Sequence, residues 1–380
     1  MRVIFSGDIC FVDKCEALIV GKDIQTLFDN ADYSFCCFEA PYVSTQEAVK
    51  FEKAGPCLKQ DESVSSILPM FTHASLANNH IMDYGSKGCH DTIKYLEEKG
   101  LVIGGAGECY EDSYAPIIVE KDGISLAVLC LAEAQFGCCK SSSESRCGYA
   151  WILNPLIGKI IQDLKVKYNY VICFAHAGLE MCDIPLPEWR DCYRGLIDYG
   201  CDIVIASHPH VIQGKESYKG KNIYYSLGNF FFNKLFCSDE RGHYSLNVIV
   251  SINDMGIQCE DFFTKFTDNS IDMANVNVRK RYNELSSILK PEFNDEYFRK
   301  VNDEVTKAWH DYYESYFSYP IKSNKIQSSI MLKLFNRFFK NNVARYYCPS
   351  VGTTMLFHNI NVDTHRFAIT RAISIINNTY

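Results

Sequence analysis

The 380-residue chain has no run of about 18 uninterrupted apolar residues, so its sequence offers no transmembrane helix. Residues 1–8 hold no apolar stretch ahead of a small-residue cleavage site, so no secretory signal is read and a cytoplasmic protein without a membrane anchor is expected. No Walker loop, Ser nucleophile elbow, zinc-finger spacing or Cys-x-x-Cys pair occurs, which removes the motif-based routes to nucleotide hydrolysis, serine chemistry and structural zinc. Cations are in short supply. Lys and Arg total 38 against 46 Asp and Glu, a formal charge of −8. An acidic chain is poorly suited to nucleic acid or an anionic membrane, and no nucleic-acid partner is expected. Internal repeats and low-complexity tracts are also missing.

Cysteine is abundant, at 18 residues. In a short secreted chain this would read as a disulfide framework. Here the chain is long and the spacing irregular, and a cytosolic chain keeps its thiols reduced. Most are read as small core hydrophobes. Hydrophobic residues at 47% and charged residues at 22% match a globular protein rather than a disordered one.

The composition shifts near residue 265. Residues 266–380 hold 15 basic and 11 acidic side chains, a balance of +4, whereas the first 265 carry −12 and all cysteines but Cys348. Two regions are therefore expected, 1–265 and 266–380.

The first region alternates apolar runs with amphipathic stretches. Runs beginning at Val3, Tyr33, Met70, Leu101, Ile124, Tyr170 and Asp202 read as buried strands. Helices are expected over 87–99, 155–166 and 187–199, the last two with a Pro near the start. The alternation predicts an α/β fold with a mostly parallel core sheet. Residues 211–217 and 221–226 read as a hairpin. The C-terminal region reads as helical and aromatic over 294–319, and apolar over 330–339.

The chemistry lies at the strand ends, where open α/β sheets bind ligands. The run from Val3 leads into Gly7 and Asp8, and the run from Tyr33 into Glu39. The run from Met70 leads into Asn78, Asn79 and His80, with Asp83 following. The run from Tyr170 ends at His176, and that from Asp202 at Ser207, His208, Pro209 and His210. Taken singly, Gly-Asp reads as a turn, a strand-end His as a satisfied polar residue, and Asn-Asn-His as a helix cap. Together, two carboxylates, an amide oxygen and several imidazoles suit a divalent ion such as Mn, Fe or Zn.

Several segments carry a family resemblance: Gly7-Asp8, Glu39-Ala-Pro, Lys53-Ala-Gly-Pro, Ala77-Asn-Asn-His-Ile-Met-Asp-Tyr-Gly, Gly104-Gly-Ala-Gly, His176-Ala-Gly-Leu-Glu, Ser207-His-Pro-His and Ser226-Leu-Gly-Asn-Phe. In this order they resemble the calcineurin-like metallophosphoesterase superfamily. Within it they are most similar to the bacterial capsule-synthesis CapA (poly-γ-glutamate) family, over residues 1 to about 250. The resemblance implies a four-layer metallophosphatase-like α/β sandwich, with the C-terminal helical extension left uncovered. It also implies two divalent metal ions. Asp8 and His210 would hold the first; Asn79, His176 and His208 the second; Glu39 would bridge them. His80 would protonate the leaving group or stabilise the phosphoryl.

The superfamily's Asp-x-His becomes Asp8-Ile9-Cys10 here, which weakens the first metal position. Cys10 either supplies a thiolate or packs in the core. The residue two before Glu39, usually Asn in the family, is Cys37. Asp83 either holds a ligand histidine or begins a helix. Glu180 and Asn229 are read as substrate-binding, with solvent and a turn as their plainer readings. Gly104 to Gly107 reads as a tight loop and His73 as a core residue.

The function implied is a dinuclear-metal hydrolase acting on a phosphoester through metal-activated water, in capsule or exopolymer synthesis. The alternative is a non-hydrolytic accessory component of poly-γ-glutamate capsule assembly or export. The partner expected is a phosphorylated or polyanionic small molecule or polymer. A homo-oligomer through the C-terminal extension is a further expectation.

Overall fold

The computed structural model describes residues 1–15, 17–43, 48–233, 239–317 and 349–377. In chain order the strands are β1 Arg2–Cys10, β2 Ile19–Val20, β3 Tyr33–Phe38, β4 His73–Ser75, β5 Val102–Gly104, β6 Ala106–Gly107, β7 Ile117–Lys121, β8 Ile124–Ala132 and β9 Cys138–Cys139. They continue with β10 Gly148–Ala150, β11 Tyr170–His176, β12 Ile203–Ser207, β13 Lys215–Tyr218, β14 Lys221–Tyr224, β15 Asn229–Phe232, β16 Tyr244–Asn253, β17 Gly256–Phe266 and β18 Ser270–Met273. The helices are α1 Lys22–Asp29, α2 Gly85–Glu98, α3 Tyr110–Ser113, α4 Ile157–Lys167, α5 Pro187–Tyr199, α6 Val276–Ile288, α7 Asn294–Ala308, α8 Glu314–Phe317, α9 Pro349–Asn361 and α10 Asp363–Ile376.

Two sheets dominate. The first runs β2-β18-β17-β16-β1-β3-β4-β5, with β15 also pairing β1. The second runs β13-β14-β12-β11-β8-β7, and β6, β10 and β9 form a small third sheet. β1, β3, β4 and β5 are parallel, as are β8, β11 and β12. Strands buried on both faces need apolar side chains throughout, which is why these segments read as continuous apolar runs. The sheets meet face to face through rings. Phe5 of β1 stacks on Phe35 of β3 at 4.9 Å and lies edge-on to Phe174 of β11 at 5.5 Å.

Helices complete the layers. α1 and α2 lie against strands of the first sheet, and α4 and α5 against β11 and β12 of the second. α5 starts with Pro187, which pre-sets the first helical φ, and buries Trp189, Tyr193, Leu196 and Ile197 along one side. Burial of each such side chain contributes on the order of 1.5–3 kcal/mol. The result is the expected α/β sandwich of helix, sheet, sheet and helix, followed by a helical C-terminal stretch.

Gly7 is required by a close approach. A Cβ there would stand 1.8 Å from the carbonyl oxygen of Gly228, the residue before β15. Gly105, at φ +89°, turns β5 into β6 where a Cβ would meet Ala77 and Cys130, so Gly104 to Gly107 is a tight turn as expected.

The chain divides into two compact units, Met1–Phe51 with Cys57–Val301, and Glu52–Pro56 with Asn302–Tyr380. The break thus falls at 301 rather than at 265. The reason is packing. β18 pairs with β17, the buried ring of Tyr282 from α6 lies 5.2 Å from that of Phe263, and the hydroxyl of Tyr297 donates to Pro185 O at 2.9 Å. The long β16–β17 hairpin, a major part of the first sheet, has no counterpart in the strands expected from sequence. In the second unit, a π-helical turn over Trp309–Tyr313 precedes α8, and His365 of α10 sits edge-on to Tyr313 at 5.5 Å. Residues 330–339 lie outside the described residues. The sixteen described cysteines are all free, and most are buried, in line with core filling.

Candidate metal centre

The carboxyl ends of strands from both sheets converge. β1 supplies Asp8, β3 runs into Glu39, and the loop after β4 carries Asn79 and His80. From the second sheet β8 runs into Glu133, β11 ends at His176, and β12 runs into Ser207, His208 and His210. Asp8, Glu39, Asn79, His80, Glu133, His176, His208 and His210 are all buried. Three non-glycine residues at the turns hold left-handed backbone: Ala40 at φ 78°, His208 at 98° and His210 at 58°. Each such conformation costs about 1–3 kcal/mol and persists where surrounding structure over-determines it.

His176 is the hub. Its Nδ1 lies 3.3 Å from Asp8 Oδ1 and 3.2 Å from both Ser207 Oγ and Cys37 Sγ. Its Nε2 lies 3.0 Å from Asn79 Oδ1 and 3.0 Å from His208 Nδ1. His208 Nε2 lies 3.1 Å from Glu133 Oε1, and the His208 backbone N–H donates to Asp8 Oδ2 at 3.1 Å. His210 Nε2 stands 3.8 Å from Glu39 Oε1, while its Nδ1 is 2.9 Å from Asn229 Oδ1 and 3.8 Å from Asp8 Oδ2. His80 Nε2 is 4.0 Å from Glu39 Oε1, and His80 Nδ1 is 2.7 Å from Asp83 Oδ2.

Burial and charge oppose each other here. Burial alone would raise the Asp8 carboxyl, but His176 and His210 outweigh it and hold Asp8 well below the usual carboxylate range. Burial pushes His176 down to about 4 and lowers His210. It also acts against the cationic form of His208, yet the hydrogen bond and charge of Glu133 prevail and raise that imidazole.

These contacts test whether a cation fits. The Glu133 carboxylate can only accept, so it favours the His208 proton on Nε2; for His176, the Asp8 carboxylate 3.3 Å from Nδ1 and the Asn79 amide oxygen 3.0 Å from Nε2 compete for the proton. His176 Nε2, His208 Nδ1 and the acceptor Asn79 Oδ1 then converge at 3.0 Å spacings, a cluster of lone pairs that needs a proton or a cation at its centre. Two lone pairs 3.0 Å apart repel unless a proton or a cation lies between them. By donor proximity, two groups stand out among the described residues: Asp8, Cys37 and His176, and Glu39, His208 and His210. Carboxylate, imidazole and thiol donors suit a borderline divalent ion.

Asp8, Glu39, Asn79, His80, His176, His208 and His210 thus come together. Asp83 and Asn229 stand one step behind, each orienting a histidine. Glu180 is exposed and acts on His208 and His210 through its charge. Cys10 is buried beside Glu39 and Asp8, but the thiol within the donor groups belongs to Cys37. The neighbouring parallel strand β3 places the Cys37 thiol beside the Asp8 carboxylate, while Cys10 packs in the core. Glu133 is the group that sequence reading passed over. Its signal was present, a polar residue directly after the apolar run from Ile124.

Residues 2–234 match the sequence profile described as "Bacterial capsule synthesis protein PGA_cap". The chain is 31% identical over 222 residues to the capsule biosynthesis protein CapA of Bacillus anthracis, covering 57% of this chain and 54% of that protein. It is 30% identical over 239 residues to the PGA biosynthesis protein CapA of Bacillus subtilis strain 168, covering 60% and 63% respectively. It therefore spans less than two thirds of these relatives. Among solved structures, a putative 5'-nucleotidase from Staphylococcus aureus aligns with TM-score 0.42 and 13% identity, over 76% of this chain and 59% of that one. The profile match covers more than half of the sequence, and the chain belongs to the bacterial capsule synthesis protein PGA_cap family.

Proposed function

We propose that this protein is a metal-dependent phosphoester hydrolase serving capsule or exopolymer synthesis. The observation that carries the reading is the convergence of Asn79 Oδ1, His176 Nε2 and His208 Nδ1 at 3.0 Å spacings beside buried Asp8 and Glu39. Asp8, Glu39, Asn79, His176, His208 and His210 would hold the ions, with Cys37 as a further donor. Two divalent ions such as Mn, Fe or Zn would there neutralise phosphoryl charge and lower the pKa of a water for attack on phosphorus.

The chain's own residues do the rest. Asp83 fixes the His80 ring by accepting from Nδ1, so that in the imidazolium form Nε2–H is the group that would give a proton or hydrogen bond to a leaving oxygen. Such a positioned group contributes about 10²–10⁴ in rate. Asn229 holds His210 through Nδ1 and leaves Nε2 toward Glu39. The substrate would be a phosphorylated or polyanionic molecule, drawn by the ions rather than by the exposed carboxylate of Glu180, which would repel it.

A second reading, an accessory role in capsule assembly without turnover, is favoured by the relatives, which are named for capsule and PGA biosynthesis. One experiment separates them. Bound metal is measured, and generic phosphomonoesters and diesters are assayed with Mn²⁺ or Zn²⁺ for wild type, His208→Ala and Asn79→Ala. Loss of activity in both variants supports hydrolysis. Undiminished activity in both sinks it, and bound metal without turnover favours the accessory role.

A further inference from the structure

Glu133 is fully buried and belongs to neither donor group, yet it bonds a member of one. A carboxylate taken out of water is costly unless a partner holds it, so its placement needs a reason. The backbone sets that placement tightly. Glu133 N–H donates to His176 O at 3.1 Å, extending the parallel β8–β11 pairing by one residue. The Tyr149 hydroxyl donates to Glu133 O at 3.1 Å, and Gln135 Nε2 to Glu133 Oε1 at 3.4 Å. With the main chain held on both sides, Oε1 reaches His208 Nε2.

We propose that Glu133 is the positioning residue that decides which nitrogen of His208 is the ligand. A neutral imidazole has one N–H and one lone pair. By accepting the Nε2 proton, Glu133 leaves the lone pair on Nδ1, the atom that faces His176 Nε2 and Asn79. Without that acceptor the two tautomers compete, and the ring is free to turn Nδ1–H toward the centre. Carboxylates behind a metal-bound imidazole commonly fix its orientation and strengthen its basicity. His176 is arranged in the opposite sense, Nδ1 outward, 3.3 Å from Asp8 Oδ1, and Nε2 inward. The two rings thus present different nitrogens to one point, and a buried carboxylate stands behind each. The proposal rests on the metal reading above.

The test uses the full chain. Zn²⁺ affinity is measured by titration calorimetry for wild type, Glu133→Leu and Glu133→Gln, with circular dichroism and metal-free melting as folding controls. Leu has no acceptor, and its Kd is expected to rise about 10–100-fold. Gln still offers an amide oxygen to Nε2–H and should recover most of that loss, which a merely space-filling role would not produce. Nitrogen-15 NMR of the Zn²⁺-loaded wild type should show His208 bound through Nδ1 with a proton on Nε2. A folded Glu133→Leu that binds Zn²⁺ as tightly as wild type overturns the proposal, as does His208 bound through Nε2. Wild type that binds no Zn²⁺ overturns the proposal together with the metal reading. Wild type that binds Zn²⁺ in the predicted mode but hydrolyses nothing supports the positioning role and removes only the hydrolase.

Discussion

His80 Nδ1 lies 2.7 Å from Asp83 Oδ2, and the same carboxylate oxygen accepts the backbone N–H of Leu58 at 2.7 Å. The pair therefore sets both the ring that faces Glu39 and the loop that covers it. Asp83→Asn keeps an oxygen for Leu58 but removes the charge that orients His80. We expect turnover of a phosphoester to fall about 10–100-fold with metal content unchanged, since Asp83 bonds His80, which is not among the proposed ligands. Parallel kcat and metal measurements check this; a loss of metal with the loss of rate would contradict it.

Gly7→Ala should abolish the fold rather than tune the site. The added methyl would stand 1.8 Å from a backbone oxygen of Gly228, where no side chain can swing away. Asp8 N–H donates to that same oxygen at 3.1 Å, so relief of the clash breaks the β1–β15 pairing. Soluble yield and melting temperature report the outcome, and a variant melting within a few degrees of wild type would count against this packing.

His73 should contribute to acid sensitivity. Its ring stacks on Phe35 at 4.4 Å, and burial lowers its pKa from 6.5 to about 4. The unfolded chain then takes up the proton first as pH falls. Stability is full above pH 6.5, declines between 6.5 and about 4, and loses no more to this group below that. At pH 5 the loss from this one residue is about 2 kcal/mol. Urea unfolding of wild type and His73→Gln at pH 7 and pH 5 should show the smaller pH difference in the variant. Equal pH differences would refute the assignment.

Glu216 anchors the β13–β14 hairpin to α5. Arg190 Nε donates to it at 2.9 Å, Arg194 pairs with it as well, and the Tyr225 hydroxyl donates at 2.7 Å. Glu216→Ala leaves Arg190, which is itself buried, without its carboxylate. A cost of about 3 kcal/mol or more in unfolding free energy is expected. Metal affinity should not move, because none of these residues contacts the donor groups. Replacing the pair together, Arg190→Met with Glu216→Leu, should recover much of the loss.

Much of this was legible in the sequence for a simple reason. Strands buried on both faces need unbroken apolar runs, so the runs from Val3, Ile124, Tyr170 and Asp202 stand out, and the polar residues that end them fall at one edge of each sheet. β16 and β17 were not legible in the same way. β17 alternates Gln258 and Glu260 with Ile257 and Cys259, because it is antiparallel and partly exposed. Which thiol stands at the centre was not legible for a different reason. Sequence distance ties Cys10 to Asp8, but the strand register shifts between Asp8 and Ile9, while Asp8 pairs directly with Cys37 across the sheet.

The donors are drawn from two sheets, with Asp8, Glu39 and Asn79 on one and His176, His208 and His210 on the other. An ion held by both sets is a cross-link that exists only while the sheets stay together. Mass action then couples occupancy to folding, and metal at a hundred times its Kd adds about 2.7 kcal/mol to the unfolding free energy. On that view a chelator acts on this protein as a denaturant would, loosening the seam between the two sheets as well as emptying the centre.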